Sequence, residues 1–316
     1  SFFGLCFAFV VIALGAWTRL VDAGLGCPDW PGCYGFVVFP TTEAEIQLAE
    51  SRYPQFPYEI DKAIPEVVHR YFAAALGFLA ILLVYFAFKY QLPKRIKAIT
   101  SFLLFFICCQ GLFGYLTVSL KLLPIIVTGH LFGGFFTLSL FFYLFLKTTD
   151  GIKNHNIGHL KVIGGVALFA LIVQIFLGVW TSTNYASLAC ADFPTCQGKF
   201  IPEMDFYDGF NLAQEVGPNY LFGLLDNEAR VAIHYSHRIS ALVLTIIFLI
   251  LISKLWFSSA APLASTLGVI LATQISLGIM NVVYVLPLYI AIAHNLVAAL
   301  LLLATLMVNL VIWKDE

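Results

Sequence analysis

The chain has 316 residues, 60% of them hydrophobic and only 11% charged, with a formal net charge of −1 and a mean hydropathy of +0.91. A soluble domain carries roughly 25% charged residues, and no water-soluble core of this size needs so much apolar surface. A soluble enzyme, a nucleic-acid binder and a disordered chain are therefore excluded, and the composition is that of a polytopic protein of the lipid bilayer.

A helix that crosses a bilayer needs about 20 mostly apolar residues. Eight stretches qualify, near 2–21, 66–88, 98–119, 125–146, 160–181, 229–253, 261–283 and 288–313. They are too long and too uniformly apolar for a transmembrane β-barrel, whose strands alternate over about 10 residues. Ser1 already stands in an apolar run, so the sequence is read as starting inside its first span and no targeting peptide is assigned. Two long connections, 22–65 and 182–228, follow spans one and five and lie on one side. The opposite side holds Lys89, Lys94, Arg95, Lys97, Lys147, Lys153, Lys161, Lys254 and Lys314 against Asp150, Asp315 and Glu316, while the long-loop side has 8 basic and 15 acidic residues. The positive-inside rule puts the basic side in the cytoplasm or matrix. The acidic loops then face the periplasm, the extracellular space or the intermembrane space.

The first half of the chain reappears in the second at an offset near 163. Gly15-Ala16-Trp17-Thr18 matches Gly178-Val179-Trp180-Thr181, and the run Cys27 to Cys33 matches Cys190 to Cys196. His69-Arg70 matches His237-Arg238, Gln110 with Gly114 matches Gln274 with Gly278, and His130 matches His294. Four spans per half, entering the membrane the same way, make a parallel repeat about an axis along the membrane normal. The expected fold is all-α, two four-helix bundles side by side, covering 1–150 and 151–316.

The repeated histidines carry the chemistry. His155 and His159 read as solvated loop residues, whereas an ionisable side chain inside hydrocarbon usually marks function. His69, His130, His237 and His294 all sit in spans that run from outside to inside, at matched depth in the outer leaflet. One pair per bundle suits the two axial ligands of a haem iron. Hydrogen-bonded histidines between helices are the bland alternative. Zinc fits less well because it wants about four ligands.

Arg19, Arg70 and Arg238 stand at the same boundary, where they pair with haem propionates or snorkel to headgroups. Glu66 precedes His69 by three residues and shares its helical face, whereas the second half has His234 at that place. Unequal neighbours beside duplicated ligands suggest one haem for chemistry and one for electron transfer, with Glu66 taking protons or favouring positive charge on the porphyrin edge. A helix-end acid is the plain alternative. Cys27 with Cys33 and Cys190 with Cys196 allow a structural disulfide in each outer loop or a redox-active pair; thiol ligation of a metal is the weaker rival, with no histidine close by. Cys6, Cys108 and Cys109 are expected to pack as small apolar residues. Gln110, Gln174 and Gln274, each one turn before a glycine, read as helix-packing residues or as haem contacts.

Taken together, the run Gly15-Ala-Trp-Thr-Arg-Leu-Val, the run Gly24-Leu-Gly-Cys-Pro-Asp-Trp-Pro-Gly-Cys33, Glu66-x-x-His69-Arg70, Thr-Gly-His130, His237-Arg238 and His294 resemble the haem A synthase family along the whole chain. The resemblance implies an oxidoreductase that turns the C8 methyl of haem O into a formyl group by successive hydroxylation, with water supplying the oxygen. It implies that His69 and His130 hold the substrate haem O, that His237 and His294 hold a haem b cofactor, that Glu66 is the essential glutamate, and that Cys27 and Cys33 are the first-loop pair. His234 departs from the family's four histidines; His237 is taken as the ligand because it matches His69 and is followed by arginine. Implied partners are haem O synthase, the assembling terminal oxidase, and an electron acceptor such as a quinone. A homo-oligomer remains open. The competing classes are a quinol-linked di-haem b-type cytochrome and a non-enzymatic haem carrier for oxidase assembly. Short termini without a visible presequence favour the bacterial plasma membrane over the mitochondrial inner membrane.

Overall fold

A computed structural model describes residues 1–149, 151–152 and 157–315. Asp150, Lys153, His155 and Glu316 lie outside the described residues. The elements in chain order are α1 (Phe2–Leu20), α2 (Glu43–Arg52), α3 (Ile60–Lys89), α4 (Lys94–Ser119), α5 (Pro124–Thr148), α6 (Lys161–Thr183), α7 (Phe206–Gly209), α8 (Asn227–Trp256), α9 (Ala261–Val283) and α10 (Leu288–Ile312), with 3-10 turns at Gly158–Leu160 and Trp313–Asp315. Eight of these helices are long and apolar enough to cross a membrane: α1, α3, α4, α5, α6 with its preceding 3-10 turn, α8, α9 and α10. The protein is thus an all-helical polytopic membrane protein, with no named strand among the described residues.

Two spans begin earlier than hydropathy indicates. α3 starts at Ile60 and α8 at Asn227, and each has 30 residues. At 1.5 Å per residue such a helix is about 45 Å long, while the hydrocarbon is about 30 Å thick. The surplus is polar N-terminal turns, carrying Asp61 and Lys62 in α3 and Glu228 and Arg230 in α8. His69 and His237 therefore sit some way inside their helices rather than at the first turn. Prolines mark several span starts: Pro93 caps α4, Pro124 opens α5, Pro262 lies in the first turn of α9 and Pro287 caps α10. A proline there has no N–H to waste and its φ suits a first helical turn.

The chain divides into two compact units, Ser1–Leu144 with Ala213–Phe222, and Phe145–Leu212 with Gly223–Glu316. In the first, α1 packs on α3 and α3 on α4. α5 joins both sides: Phe136 meets Phe106 of α4 at 4.8 Å, and Phe141 fills the space beside Gly4 of α1. In the second, α6, α8, α9 and α10 pack in a closed ring, and Asn309 of α10 donates to the Gly164 carbonyl of α6 at 3.1 Å. Hydroxyls of Thr18, Thr137, Thr181, Thr245 and Thr305 donate to the carbonyl four residues earlier, which satisfies them without water. Large apolar residues such as Phe78, Leu242 and Val269 face outward, as a lipid-facing surface requires. Cys6 and Cys108 are also exposed on the helices. This corrects the expectation of packed thiols: the outer face of a span is as apolar as its inside, so apolar character alone does not choose the side.

The segment 213–222 comes from the second long loop yet belongs to the first unit. Tyr220 N–H donates to the Lys121 carbonyl at 3.0 Å and Lys121 Nζ donates to the Gly217 carbonyl at 3.2 Å. Tyr220 completes an apolar cluster with Leu122 and Leu123, against which Leu25, Ile125 and Ile126 also pack.

Candidate functional site

Each of the four span histidines rests on a glycine of a neighbouring helix. A Cβ added at Gly15 of α1 would lie 2.9 Å from His69 Cε1, at Gly178 of α6 3.0 Å from His237 Cε1, at Gly278 of α9 3.1 Å from His294 Cε1, and at Gly114 of α4 3.4 Å from His130 Cε1. The bare backbone is what lets each ring lie between two helices. In the first unit the rings of His69 and His130 are 6.4 Å apart, centre to centre, with planes at 88°. Two imidazole nitrogens bound on opposite sides of one ion, at about 2 Å each, put the ring centres roughly 6 Å apart. The buried rings of His69, His130 and His294 each face the main chain of the neighbouring helix, at Val11, Gln110 and Gln274, one turn before the seating glycine. In the second unit Gln174 Nε2 lies 3.0 Å from His237 Nδ1 and Gln274 Nε2 lies 3.3 Å from His294 Nε2. Among the described residues no three of His, Cys, Asp and Glu gather as a metal cage, so each pair offers two donors, as a haem iron needs. The residues present fit haem.

Beside the first pair lies a buried carboxylate. Glu66 is 4% exposed. Its Oε2 accepts from Cys27 N–H at 2.8 Å, and its Oε1 pairs with Arg70 Nη2 one helical turn on. Arg70 also donates to the carbonyls of Asp29 at 2.8 Å, Gly32 at 2.6 Å and Cys27 at 3.5 Å. One guanidinium thus ties helix α3 to the loop closed by the Cys27–Cys33 disulfide. Asp29 folds that loop from within, accepting from Tyr34 N–H at 2.6 Å and Gly35 N–H at 2.8 Å. The phenol of Tyr34 donates to the Pro57 carbonyl at 3.0 Å; burial, and then the charges of Glu59 and Glu66, push its pKa up to about 12.

The second unit repeats the construction with one substitution. Cys190 and Cys196 form a disulfide. Asp192 accepts from Gln197 N–H at 2.6 Å, Gly198 N–H at 2.9 Å and Thr195 Oγ1 at 2.5 Å. The Thr195 hydroxyl first, with these amides, holds its carboxyl down to about 2. Arg238 donates to the carbonyls of Asp192 at 2.8 Å, Thr195 at 2.8 Å and Cys190 at 2.6 Å. Where Glu66 would stand, His234 lies 3.4 Å from Cys190 N and 3.3 Å from Arg238 Nε. A neutral imidazole has one acceptor nitrogen, so it can satisfy one of those donors where Glu66 satisfies both.

Comparison with known proteins decides the family. The sequence profile described as cytochrome oxidase assembly protein matches residues 1–306. The haem A synthase of Shewanella oneidensis is 43% identical over 316 residues, spanning 99% of this chain and 95% of that protein. Those of Rickettsia felis and Neorickettsia sennetsu are 28% and 26% identical, spanning 96% and 92% of this chain and 92% and 91% of their own lengths. The chain belongs to the haem A synthase family.

Against that family background, the structure brings together Glu66, His69 and His130 in one unit and His234, His237 and His294 in the other. Arg70 and Arg238 are engaged by loop carbonyls, while Arg19 pairs with Asp22 at 3.4 Å. His159 is exposed in its short 3-10 turn. Sequence reading did not find the arginine clamps, the two aspartates that fold the cysteine loops, or the glycine under each histidine. The spacing of Glu66 and Arg70, one turn apart, was the available signal for the first. For the last it was the recurring glycine one turn after Gln110, Gln174 and Gln274.

Proposed function

We propose that this chain makes haem A from haem O in the bacterial plasma membrane, by oxidising the C8 methyl to a formyl group at the outer side of the bilayer. Glu66 carries this reading. A buried carboxylate lies one turn from His69 in the unit whose ring pair stands 6.4 Å apart, and only a histidine takes its place in the other unit. A purely electron-transferring pair of haems needs no such asymmetry.

In this reading His69 and His130 bind the substrate haem through its iron, seated between Gly15 and Gly114. His237 and His294 hold haem b, which supplies a one-electron relay when bound. Methyl to formyl takes in one oxygen, from water, and releases four protons and four electrons. The electrons pass to an acceptor of the quinone class. Glu66 accepts protons leaving the methyl carbon, and its bonds from Cys27 and Arg70 keep the carboxylate at a fixed place beside the ring. Arg19, paired with Asp22 at 3.4 Å, and Arg70 and Arg238, held by loop carbonyls, are the arginines proposed to stand near the propionates. Haem O reaches the site laterally from haem O synthase, and haem A leaves toward the assembling oxidase.

The test is co-expression with a haem O synthase, followed by acid extraction and chromatography with mass detection. Haem A beside haem B supports the reading. Haem B alone makes the chain an electron-transfer cytochrome, and unchanged haem O makes it a carrier. Glu66→Gln should keep the haem spectrum and stop conversion; full activity in that variant removes the role given to Glu66.

A further inference from the structure

Each cysteine loop carries apolar side chains that its own fold does not bury. Cys33–Phe36 and Cys196–Lys199 are tight turns closed by backbone hydrogen bonds in both directions, with positive φ at Tyr34 and Gly35 and at Gln197 and Gly198. This is hairpin-turn geometry, and the two residues that follow each turn point outward. Val37 is 80% exposed, Phe200 74% and Ile201 76%, while Val38, Trp30 and Phe193 are half-exposed. The three residues of one loop match the three of the other at the offset of the repeat. No charged residue stands between Trp30 and Thr42. Between Phe193 and Pro202 there is only Lys199, which Glu203 holds at 2.9 Å. Apolar side chains displayed in this way mark a surface that meets lipid or protein.

Two tyrosines point to lipid. The Tyr71 phenol of α3 donates to the Val37 carbonyl at 2.6 Å, and the Tyr115 ring of α4 meets the Trp30 ring at 5.9 Å. Both tyrosines are exposed on spans, so they stand on faces that the bilayer covers. The far ends of these helices carry Lys89 over the Tyr85 ring at 5.4 Å and Arg95 over the Tyr143 ring at 5.8 Å, the basic and aromatic pairing of a membrane boundary. At 1.5 Å per residue, Tyr71 lies about 27 Å along α3 from Lys89, and Tyr115 about 30 Å along α4 from Arg95. The hydrocarbon is about 30 Å thick. Both tyrosines therefore reach the opposite boundary, and the first cysteine loop lies against them there. The second loop is gripped in the same way: Arg238 holds its carbonyls as Arg70 holds those of the first, about 24 Å along α8 from Lys254.

We propose that both cysteine loops are seated in the bilayer interface, with Trp30, Val37 and Val38 of the first and Phe193, Phe200 and Ile201 of the second in contact with phospholipid where headgroups meet acyl chains. Apolar side chains in that position reach about 5–10 Å into the boundary. The exposed residues of the loops and the lipid-facing sides of α3 and α4 then form one continuous apolar surface. The disulfide and the arginine clamp hold each loop in shape beforehand, so contact with lipid orders little additional chain.

The test measures depth. The full chain is reconstituted in phosphatidylcholine nanodiscs, with an environment-sensitive fluorescent amino acid introduced by stop-codon suppression in place of Val37 or Phe200, and in place of the exposed Glu50 or Asp208 as controls. Phospholipid brominated near the headgroup end of its acyl chains should remove emission from the two labels in the cysteine loops, and bromine near the chain ends should remove less. Iodide in the water should quench the controls and spare the cysteine-loop labels. Cysteine-loop labels that iodide quenches as freely as the controls overturn the proposal. Protection from both quenchers overturns it as well, because protein rather than lipid then covers the loops. Should a labelled chain not accumulate, Trp30 reports from the unlabelled one: the emission that Trp30→Phe removes should be lost to the shallow bromine, and an iodide-sensitive Trp30 overturns the proposal.

Discussion

Arg70 is the cation of a buried pair, with side chains 14% exposed for Arg70 and 5% for Glu66. Removing one partner of such a pair strands the other charge, at a cost of about 3–5 kcal/mol. One kcal/mol moves the transition of a domain of this size by about 2–4 °C, so Arg70→Met should lower the unfolding temperature of the first unit by roughly 6–20 °C. The assay is thermal unfolding in detergent followed by tryptophan fluorescence, with Trp17 and Trp30 reporting from that unit. The loss has two sources, the stranded carboxylate and the freed carbonyls of Cys27, Asp29 and Gly32, and a double-mutant cycle separates them. Glu66→Gln with Arg70→Met leaves no buried charge, and should recover about 1–3 kcal/mol relative to the sum of the single variants. Arg238→Met provides the control, because the group at the place of Glu66 there is the imidazole of His234 rather than a carboxylate. An equal drop in Arg238→Met, or a double variant that loses the full sum, would show that the clamp acts through the carbonyls alone and that charge pairing contributes nothing.

Two further outcomes follow from the geometry. Alanine at the seating glycines should disturb the histidines in the order of the clashes, with Gly15→Ala and Gly178→Ala, at 2.9 and 3.0 Å, the most severe and Gly114→Ala, at 3.4 Å, tolerated; the low-spin haem absorption reads this, and a uniform effect would refute the seat. Asp192 titrates at about 2 when folded against 3.8 ordinarily, so its support of the second cysteine loop is present above 3.8 and lost as the pH falls toward 2. Reduction of Cys190–Cys196 by a phosphine, followed by mass, should therefore accelerate only in that acid window; acceleration that begins near neutrality would refute the role of Asp192.

The membrane class and the eight spans were legible because hydrocarbon imposes a length and a composition on every helix. The four histidines and Glu66 could be singled out for the same reason: a polar group in lipid is conspicuous. What lay hidden was the N-terminal ends of two spans. α3 and α8 continue into water, where hydropathy no longer distinguishes helix from loop, so Ile60 to Pro65 read as connection. The clamp made by Arg70 was illegible because its partners are backbone carbonyls, which every residue possesses and no sequence advertises. The sequence already put His234 at the place of Glu66; what it did not show is the contact of that ring with Cys190 N, 3.4 Å away.

The segment 213–222 has a consequence for how this protein can be inherited and taken apart. A chain that arose by copying one half would be expected to divide cleanly between the copies, yet ten residues of the later copy complete the apolar cluster of the earlier one around Leu122, Leu123 and Tyr220. A gene cut after the first four spans would encode helices whose cluster lacks Tyr220 and Leu221. The two halves of the sequence are in this respect not separate modules. Recombination that exchanges halves between relatives has to carry residues 213–222 along with the first half.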